Sequence, residues 1–200
     1  MRAGERWHVA VCCLHADFLL PLHCTREGMA AVTGLLEWVF ALYFLTHIPI
    51  TLMIDLQPLV HGAGIYPQCL TELLKWYAVT FKDSMMLEPP SWFKSFICCE
   101  AALQLPFFPF AAYAFLKGGC KWIRTPAIIY STHVSTTVLP IFAHILFHDF
   151  STSKHQGPET VQERLTLLSF YAPYLLIPML LLLTMLYSPK YNEVEKRKKK

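Results

Sequence analysis

The stretch Glu37–Gln57, EWVFALYFLTHIPITLMIDLQ, decides the fold. It is apolar over the roughly 20 residues that a helix needs to cross a hydrocarbon core of about 30 Å. Its acids, Glu37 and Asp55, stand at or near its ends, and His47 and Pro49 interrupt its middle. A carboxylate inside a membrane span costs about 3 kcal/mol or more unless something compensates it. The presence of Asp55 therefore asks for a reason.

Working outward, three further apolar runs of similar length follow, at about 93–116, 126–147 and 165–187. Of the 200 residues, 54% are hydrophobic and only 16% are Asp, Glu, Lys or Arg. Soluble domains carry about 25% charged residues. The expected fold class is an all-α membrane protein: a four-transmembrane-helix bundle with proline-kinked helices and an internal ligand cavity. The prolines are Pro49, Pro106, Pro109, Pro140, Pro173 and Pro178, at least one in every span. Each removes a backbone donor and tends to bend its helix, and bowed helices leave space between them.

Between the first two spans, Pro58, Gly62, Gly64 and Pro67 signal turns. In the run TELLKWYAVTFKD, 71–83, Leu73, Leu74, Tyr77 and Phe81 recur at helical spacing. That pattern predicts a short amphipathic helix at the interface, where Trp76, Tyr77 and Trp92 suit the headgroup level. Residues 1–35 read as a disordered N-terminal extension, 36–187 as the membrane domain and 188–200 as a basic cytosolic tail. The apolar run WHVAVCCL resembles the start of a signal peptide, but His15, Asp17 and Pro21 interrupt it, and Met29 would serve as a natural start. Basic residues collect on the cytosolic side of membrane proteins. Arg2, Arg6, Arg26, Lys117, Lys121, Arg124, Lys190 and the tail KRKKK oppose Lys75, Lys82, Lys94, Lys154 and Arg164, which places both termini in the cytosol. The seven cysteines show no CxxC spacing and suggest neither a disulfide framework nor a zinc site.

At a rise of about 1.5 Å per residue, Glu100 lies roughly 10 Å inside its span and Asp55 lies near the same end of the first. Gln104 is one turn below Glu100 on the same face. Thr136 and Thr137 fall mid-depth in the third span, and Tyr171 and Tyr174 in the matching half of the fourth. Two neighbouring carboxyls in a low dielectric do not both stay ionised. Glu100, the deeper, is expected to be protonated and to donate to an ionised Asp55, leaving one carboxylate for a lipophilic cation. Bland readings stand beside these. Asp55 would be a helix-end acid reaching water, and Glu100 an acid satisfied between helices. Gln104 and the threonines would be interhelical hydrogen-bonders, and the tyrosines packing residues. Asp83 is either a solvated loop residue or folds back over the mouth. His47 and His133 read as core histidines. His144 and His148 have the i, i+4 spacing of paired metal ligands, with no third ligand evident. Catalytic signatures such as GxSxG, HExxH or a phosphate loop are missing. No catalytic residue, metal or cofactor is expected.

The motifs EWVFALYFLTHIPITL, LLKWYAVTFKD, EPPSWFKSF, QLPFFPFAAYAFLKGGCKWIRTPAIIYS, ERLTLLSFYAPYLLIP and EKRKKK resemble the EXPERA membrane-domain family over about 36–200. The resemblance implies a four-helix endoplasmic-reticulum protein linked to cholesterol homeostasis, found also in endosomes, lysosomes and the nuclear membrane. Its pocket would take sterols and cationic amphiphilic drugs and open sideways to the lipid. Carried over by motif, Asp55 pairs with the ligand amine and Asp83 supports it. Glu100, Gln104, Thr137, Tyr171 and Tyr174 line the pocket, and Trp76 and Tyr77 supply aromatic walls. Implied partners are sterols, lipophilic amines, membrane lipid, a lysosomal cholesterol transporter, lipoprotein-receptor machinery and a second copy in a homodimer, without nucleic acid. The family also includes sterol isomerases that use histidine and glutamate. Phe96 stands one turn before Glu100, where a histidine would suit that chemistry. The expectation is a non-enzymatic receptor, with an isomerase-like enzyme or a transporter-contacting scaffold as alternatives. Lys196 and Lys198 fit a KxKxx pattern similar to dilysine retrieval signals.

Overall fold

A computed structural model of the chain describes residues 21–60, 64–151, 153 and 155–192, with side chains from residue 32 onward. Helix α1, Pro21–Ile50, continues through a π-helical turn, Thr51–Asp55, and a 3-10 turn, Gln57–Val60. Helix α2 covers Gln68–Thr80 and α3 Ser84–Leu87. Helix α4, Ser91–Cys99, runs through a second π turn, Glu100–Gln104, into α5, Leu105–Lys117. A 3-10 turn, Lys121–Ile123, leads into α6, Arg124–Phe147; α7 is Val161–Tyr187 and α8 Pro189–Asn192. Four stretches are long and apolar enough to cross a membrane: Val32–Val60, Ser91–Lys117, Lys121–Phe147 and Val161–Tyr187. The described residues contain no strand. The protein is a multi-pass, all-helical membrane protein.

The spans agree with those read from the sequence, and the differences at their ends have local causes. Helix α1 reaches back to Pro21, so residues 21–35 of the expected disordered extension are helical. Proline is tolerated at a helix start, and Met29, Ala30 and Ala31 are good helix formers. Residues 1–20 lie outside the described residues. Helix α7 begins at Val161 rather than 165 because Thr160 and Glu163 form a reciprocal capping box.

Both π turns adjoin prolines. Pro106 cannot donate to the carbonyl four residues back, and the ladder before it widens, with Leu105 N–H donating to Glu100 O. A second widening lies just past Pro49, on the side where proline removes no hydrogen bond, with Leu56 N–H donating to Thr51 O at 3.1 Å. Such turns insert an extra residue and rotate the side chains beyond it; they are frequent at functional sites.

Helix α1 packs along α5, and α6 along α7. Two apolar clusters result. One, at the Gly118 end, joins Phe40 and Phe44 of α1 to Phe108 and Phe115 of α5, Tyr130 of α6 and Leu181 of α7. The other, at the opposite end, packs Leu74 and Ala78 of α2 and Met85 and Met86 of α3 onto Phe93, Ile145 and Leu167. The outward faces are apolar too, with Leu42, Phe110, Ile129 and Leu176 exposed. In hydrocarbon that is the expected surface.

The Gly118 end is fastened by one carboxylate. Glu37 is buried and accepts from Gly119 N–H at 2.9 Å, Lys190 Nζ at 2.6 Å and the Tyr191 hydroxyl at 2.5 Å. It thus ties α1 to the α5–α6 turn and to α8. Gly118, at φ 71°, ends α5 in the left-handed region, and a Cβ there would lie 3.1 Å from Glu37 Oε2. Removing the carboxylate strands a buried hydroxyl and an amide. Glu37→Ala is expected to destabilise the purified protein by about 2–4 kcal/mol in detergent unfolding. Glu159→Ala, at an exposed position, should change it by less than about 0.5 kcal/mol.

Candidate functional site

Between the two apolar clusters lies a cavity of about 100 Å³, where the two π turns face each other. Asp55 ends the first π turn; Glu100 begins the second and Gln104 ends it. The Thr51 hydroxyl donates to Glu100 Oε1 at 2.6 Å, joining the two broken helices directly. His47 Nε2 stands 3.6 Å from the same oxygen. One ligand atom each from His47, Asp55 and Glu100 lies within 4.8 Å of the others.

The structure brings together Asp55, Glu100, Gln104, Thr137, Tyr171 and Tyr174, all lining this cavity. Among the described residues no hydrogen bond joins Asp55 to Glu100. Glu100 instead accepts from Thr51, which departs from the donation to Asp55 expected from the sequence. Asp55 is half-buried and receives no hydrogen bond from any described residue. Gln104 is buried, and the Thr137 hydroxyl turns back to Val134 O at 3.0 Å. Phe93, Ile97, Val134 and Ile141 supply apolar walls.

Asp83 does not touch the cavity; it supports residues that do. Helix α2 ends in a Schellman-type turn, with Lys82 at φ 57° and Asp83 N–H donating to Ala78 O at 2.8 Å. Lys82 is a non-glycine residue in the left-handed region and is held there by Glu163, 2.6 Å away. The turn sends Asp83 inward until it is fully buried. Its Oδ2 accepts from Tyr171 at 2.7 Å and Tyr77 at 3.3 Å. Burial raises its pKa to about 6, against the opposing hydroxyls and the Met85 and Met86 amides. Asp83 is therefore not the solvated loop residue of the bland reading.

Tyr77 borders a second cavity of about 170 Å³ that shares Asp55, Met86, Tyr171 and Tyr174 with the first. Trp76, next to it on α2, is 60% exposed, packs edge-on to Phe81 and borders none of these cavities. A third space of about 310 Å³ lies between α1 and α7 and shares His47 and Tyr174. The Tyr174 side chain borders all three. Lys196 and Lys198 lie outside the described residues.

His47 is the residue whose role the sequence understated. It is buried among the rings of Tyr43, Phe108 and Tyr174, its Nδ1 has no partner, and it lines the cavity beside both acids. A signal existed. His47, Thr51 and Asp55 fall at i, i+4 and i+8, a single polar stripe down an otherwise apolar helix.

The raised pKa of Asp83 has a signed consequence. Its charged form is disfavoured in the folded protein, so its contribution is greatest below the unfolded value near 4. That contribution is lost as pH rises through about 6. Measured as melting temperature in detergent from pH 4 to 8, wild type should lose stability relative to Asp83→Asn across this window. A difference that does not change with pH would contradict the assignment.

Residues 69–185 match the EXPERA (EXPanded EBP superfamily) model. The chain is 62% identical to Sigma intracellular receptor 2 of Xenopus tropicalis over 172 residues, covering 86% of this chain and all of that protein. It is 60% identical to Sigma intracellular receptor 2 of Homo sapiens over 176 residues, covering 86% of this chain and 99% of that protein. A more distant relative, Efficient mitochondria targeting-associated protein 19 of Schizosaccharomyces pombe, is 28% identical over 145 residues, covering 72% of this chain and 71% of that protein. The two close relatives bear receptor names rather than enzyme names, in line with the expectation of a non-enzymatic protein. From α2 to the end of α7, and by its identity to these relatives, the chain belongs to the EXPERA family.

Proposed function

We propose that this EXPERA protein is an intracellular membrane receptor that binds sterols and cationic amphiphilic molecules and acts in cholesterol homeostasis and trafficking. The observation that carries the reading is Asp55. It is a carboxylate within a span, it receives no hydrogen bond from a described residue, and it faces a cavity walled by apolar and aromatic side chains. Such a group is costly in hydrocarbon until a cation joins it. A protonated lipophilic amine supplies that cation and brings an apolar body to fill the rest. Tyr171 and Tyr174 would add their ring faces to the ammonium. Gln104 and Thr137, farther along the cavity, offer hydrogen bonds to a polar group at the ligand's other end, such as a sterol hydroxyl.

The inner cavity is smaller than the roughly 300–1,000 Å³ typical of ligand pockets. A ligand of sterol size needs the adjoining spaces as well. Rotation of Tyr174 would join them and open a path between α1 and α7 to the lipid. Residence in the endoplasmic reticulum, with both termini cytosolic, rests on the KxKxx tail and the distribution of basic residues. Partnership with a cholesterol transporter or a second copy is part of the same proposal.

The test is equilibrium binding of a labelled cationic amphiphile to the full-length protein in membranes. Asp55→Asn is expected to weaken binding about 100-fold or more, as removal of one partner from a desolvated charge pair does. Binding of an uncharged sterol probe should persist. Retained amine affinity in Asp55→Asn would reject the ion-pair mechanism.

A further inference from the structure

The amphiphile cavity holds a second arrangement, which an amine leaves unused. His47 of α1, Asp55 of the first π turn and Glu100 of the second each place one nitrogen or oxygen within 4.8 Å of the other two. Hydrogen bonding among them does not account for this convergence. The 3.6 Å from His47 Nε2 to Glu100 Oε1 is too long for a hydrogen bond. Nδ1 of the same ring has no partner among the described residues, although His47 is only 5% exposed. Asp55 receives no hydrogen bond from them either. The surroundings hold two of the three donors in place. Rings of Tyr43, Phe108 and Tyr174 pack around the imidazole at centroid distances of 5.0, 4.7 and 5.0 Å. The Thr51 hydroxyl fixes Glu100 Oε1 from 2.6 Å.

We propose that His47, Asp55 and Glu100 form a binding site for a divalent transition-metal ion of the zinc class, and that metal and amine exclude each other. Charge is the first argument. Two carboxylates in a low-dielectric cavity call for two positive charges, of which a protonated amine brings one and a divalent ion both. The donor set is the second. One imidazole and two carboxylates, with water in the fourth position, suit an open tetrahedral zinc site. Calcium takes about six to eight oxygens, and magnesium keeps a near-octahedral oxygen shell, which these three residues do not supply. Zinc bonds of about 2.0–2.1 Å put donors about 3.3 Å apart, so the three must close in by about 1.5 Å. Asp55, half-buried and held by no hydrogen bond from the described residues, makes that movement. Thr51 orients Glu100 as outer-shell donors orient a metal-bound carboxylate. Size is the third argument. A cavity of about 100 Å³ takes an ion and its water as it stands, whereas a sterol-sized ligand needs the adjoining spaces. Aromatic packing accounts for the burial of His47, but not for two carboxyls gathered beside it. With Nε2 on the metal, Nδ1 still lacks an acceptor, so the affinity expected is below that of structural zinc sites.

The metal site stands on its own geometry, while its exclusion of amines rests on the receptor reading. The experiment is calorimetric titration of Zn²⁺ into the full-length, tag-free, metal-stripped protein in lipid nanodiscs, with displacement of a labelled cationic amphiphile as a second readout. One saturable equivalent is expected. Zn²⁺ should displace the amphiphile at the concentrations that saturate the calorimetric signal, and Mg²⁺ should not. Asp55→Asn and Glu100→Gln keep the shape of each side chain and should each weaken Zn²⁺ binding tenfold or more. His47→Phe, which keeps a ring among Tyr43, Phe108 and Tyr174, should do the same, with its metal-free melting temperature reporting that it folds. Zn²⁺ binding should persist in the His144→Gln/His148→Gln variant, which removes the histidine pair at the end of α6. The proposal is overturned if no saturable binding occurs, or if Asp55→Asn and Glu100→Gln both bind Zn²⁺ as wild type does. It is equally overturned if the folded His144→Gln/His148→Gln variant loses binding, or if saturating Zn²⁺ leaves the amphiphile bound. An amphiphile that fails to bind wild type rejects the receptor reading alone, because the Zn²⁺ titration is read directly.

Discussion

The hydrogen bond from the Thr51 hydroxyl to Glu100 is the contact on which the site depends. It joins two helices at the points where each widens into a π turn. The widening serves the polar residues directly. A regular helix would bring the same residues around at a different angle, whereas the added residue rotates every side chain beyond it. Asp55 closes one turn and Gln104 the other, and both face the shared cavity. Thr51 also gives Glu100 a donor, so the deeper acid is satisfied by protein while Asp55 is left for something else.

Around that contact, the fold is held at both ends and left open in the middle. At one end Glu37 gathers α1, the α5–α6 turn and α8 over a cluster dense in phenylalanine. At the other, α2 and α3 fold over the bundle, and Asp83 hydrogen-bonds Tyr171 from behind the cavity wall. Helices fixed at their ends and bent by internal prolines cannot also close tightly at mid-depth. The three adjoining spaces that share Tyr174 are the consequence. Because lipid is as apolar as the helix faces, packing between helices is driven less by apolar burial than it is in water. The polar ties therefore weigh more than their number suggests.

Much of this was legible in the residues. Length and apolarity place the four spans, and counting rise along the helices puts Asp55 and Glu100 in the same half of the membrane, with Glu100 the deeper. The prolines mark where helices break, but not the type of break, because a π turn and a kink share the same local signal. Asp83 could not be placed, since its burial follows from Lys82 adopting a left-handed conformation that glycine would have announced and lysine does not. The Glu37 anchor joins residues more than 150 positions apart in α1 and α8. Nothing in the neighbourhood of either partner foretells it. His47 was visible as one member of a stripe with Thr51 and Asp55. Its role emerges only when the second π turn brings Glu100 beside it.

The central claim is that the two facing π turns build a site whose unsatisfied carboxylate receives a cation. A structure of the protein with a bound cationic amphiphile, at a resolution that shows side-chain contacts, tests it most directly. The account predicts the ligand nitrogen within about 4 Å of an Asp55 oxygen, its apolar body passing Tyr174, and the Thr51–Glu100 hydrogen bond intact. A ligand seated between α1 and α7 with its nitrogen facing away from Asp55, or bound on the outer face of α2 beside Trp76, would contradict it.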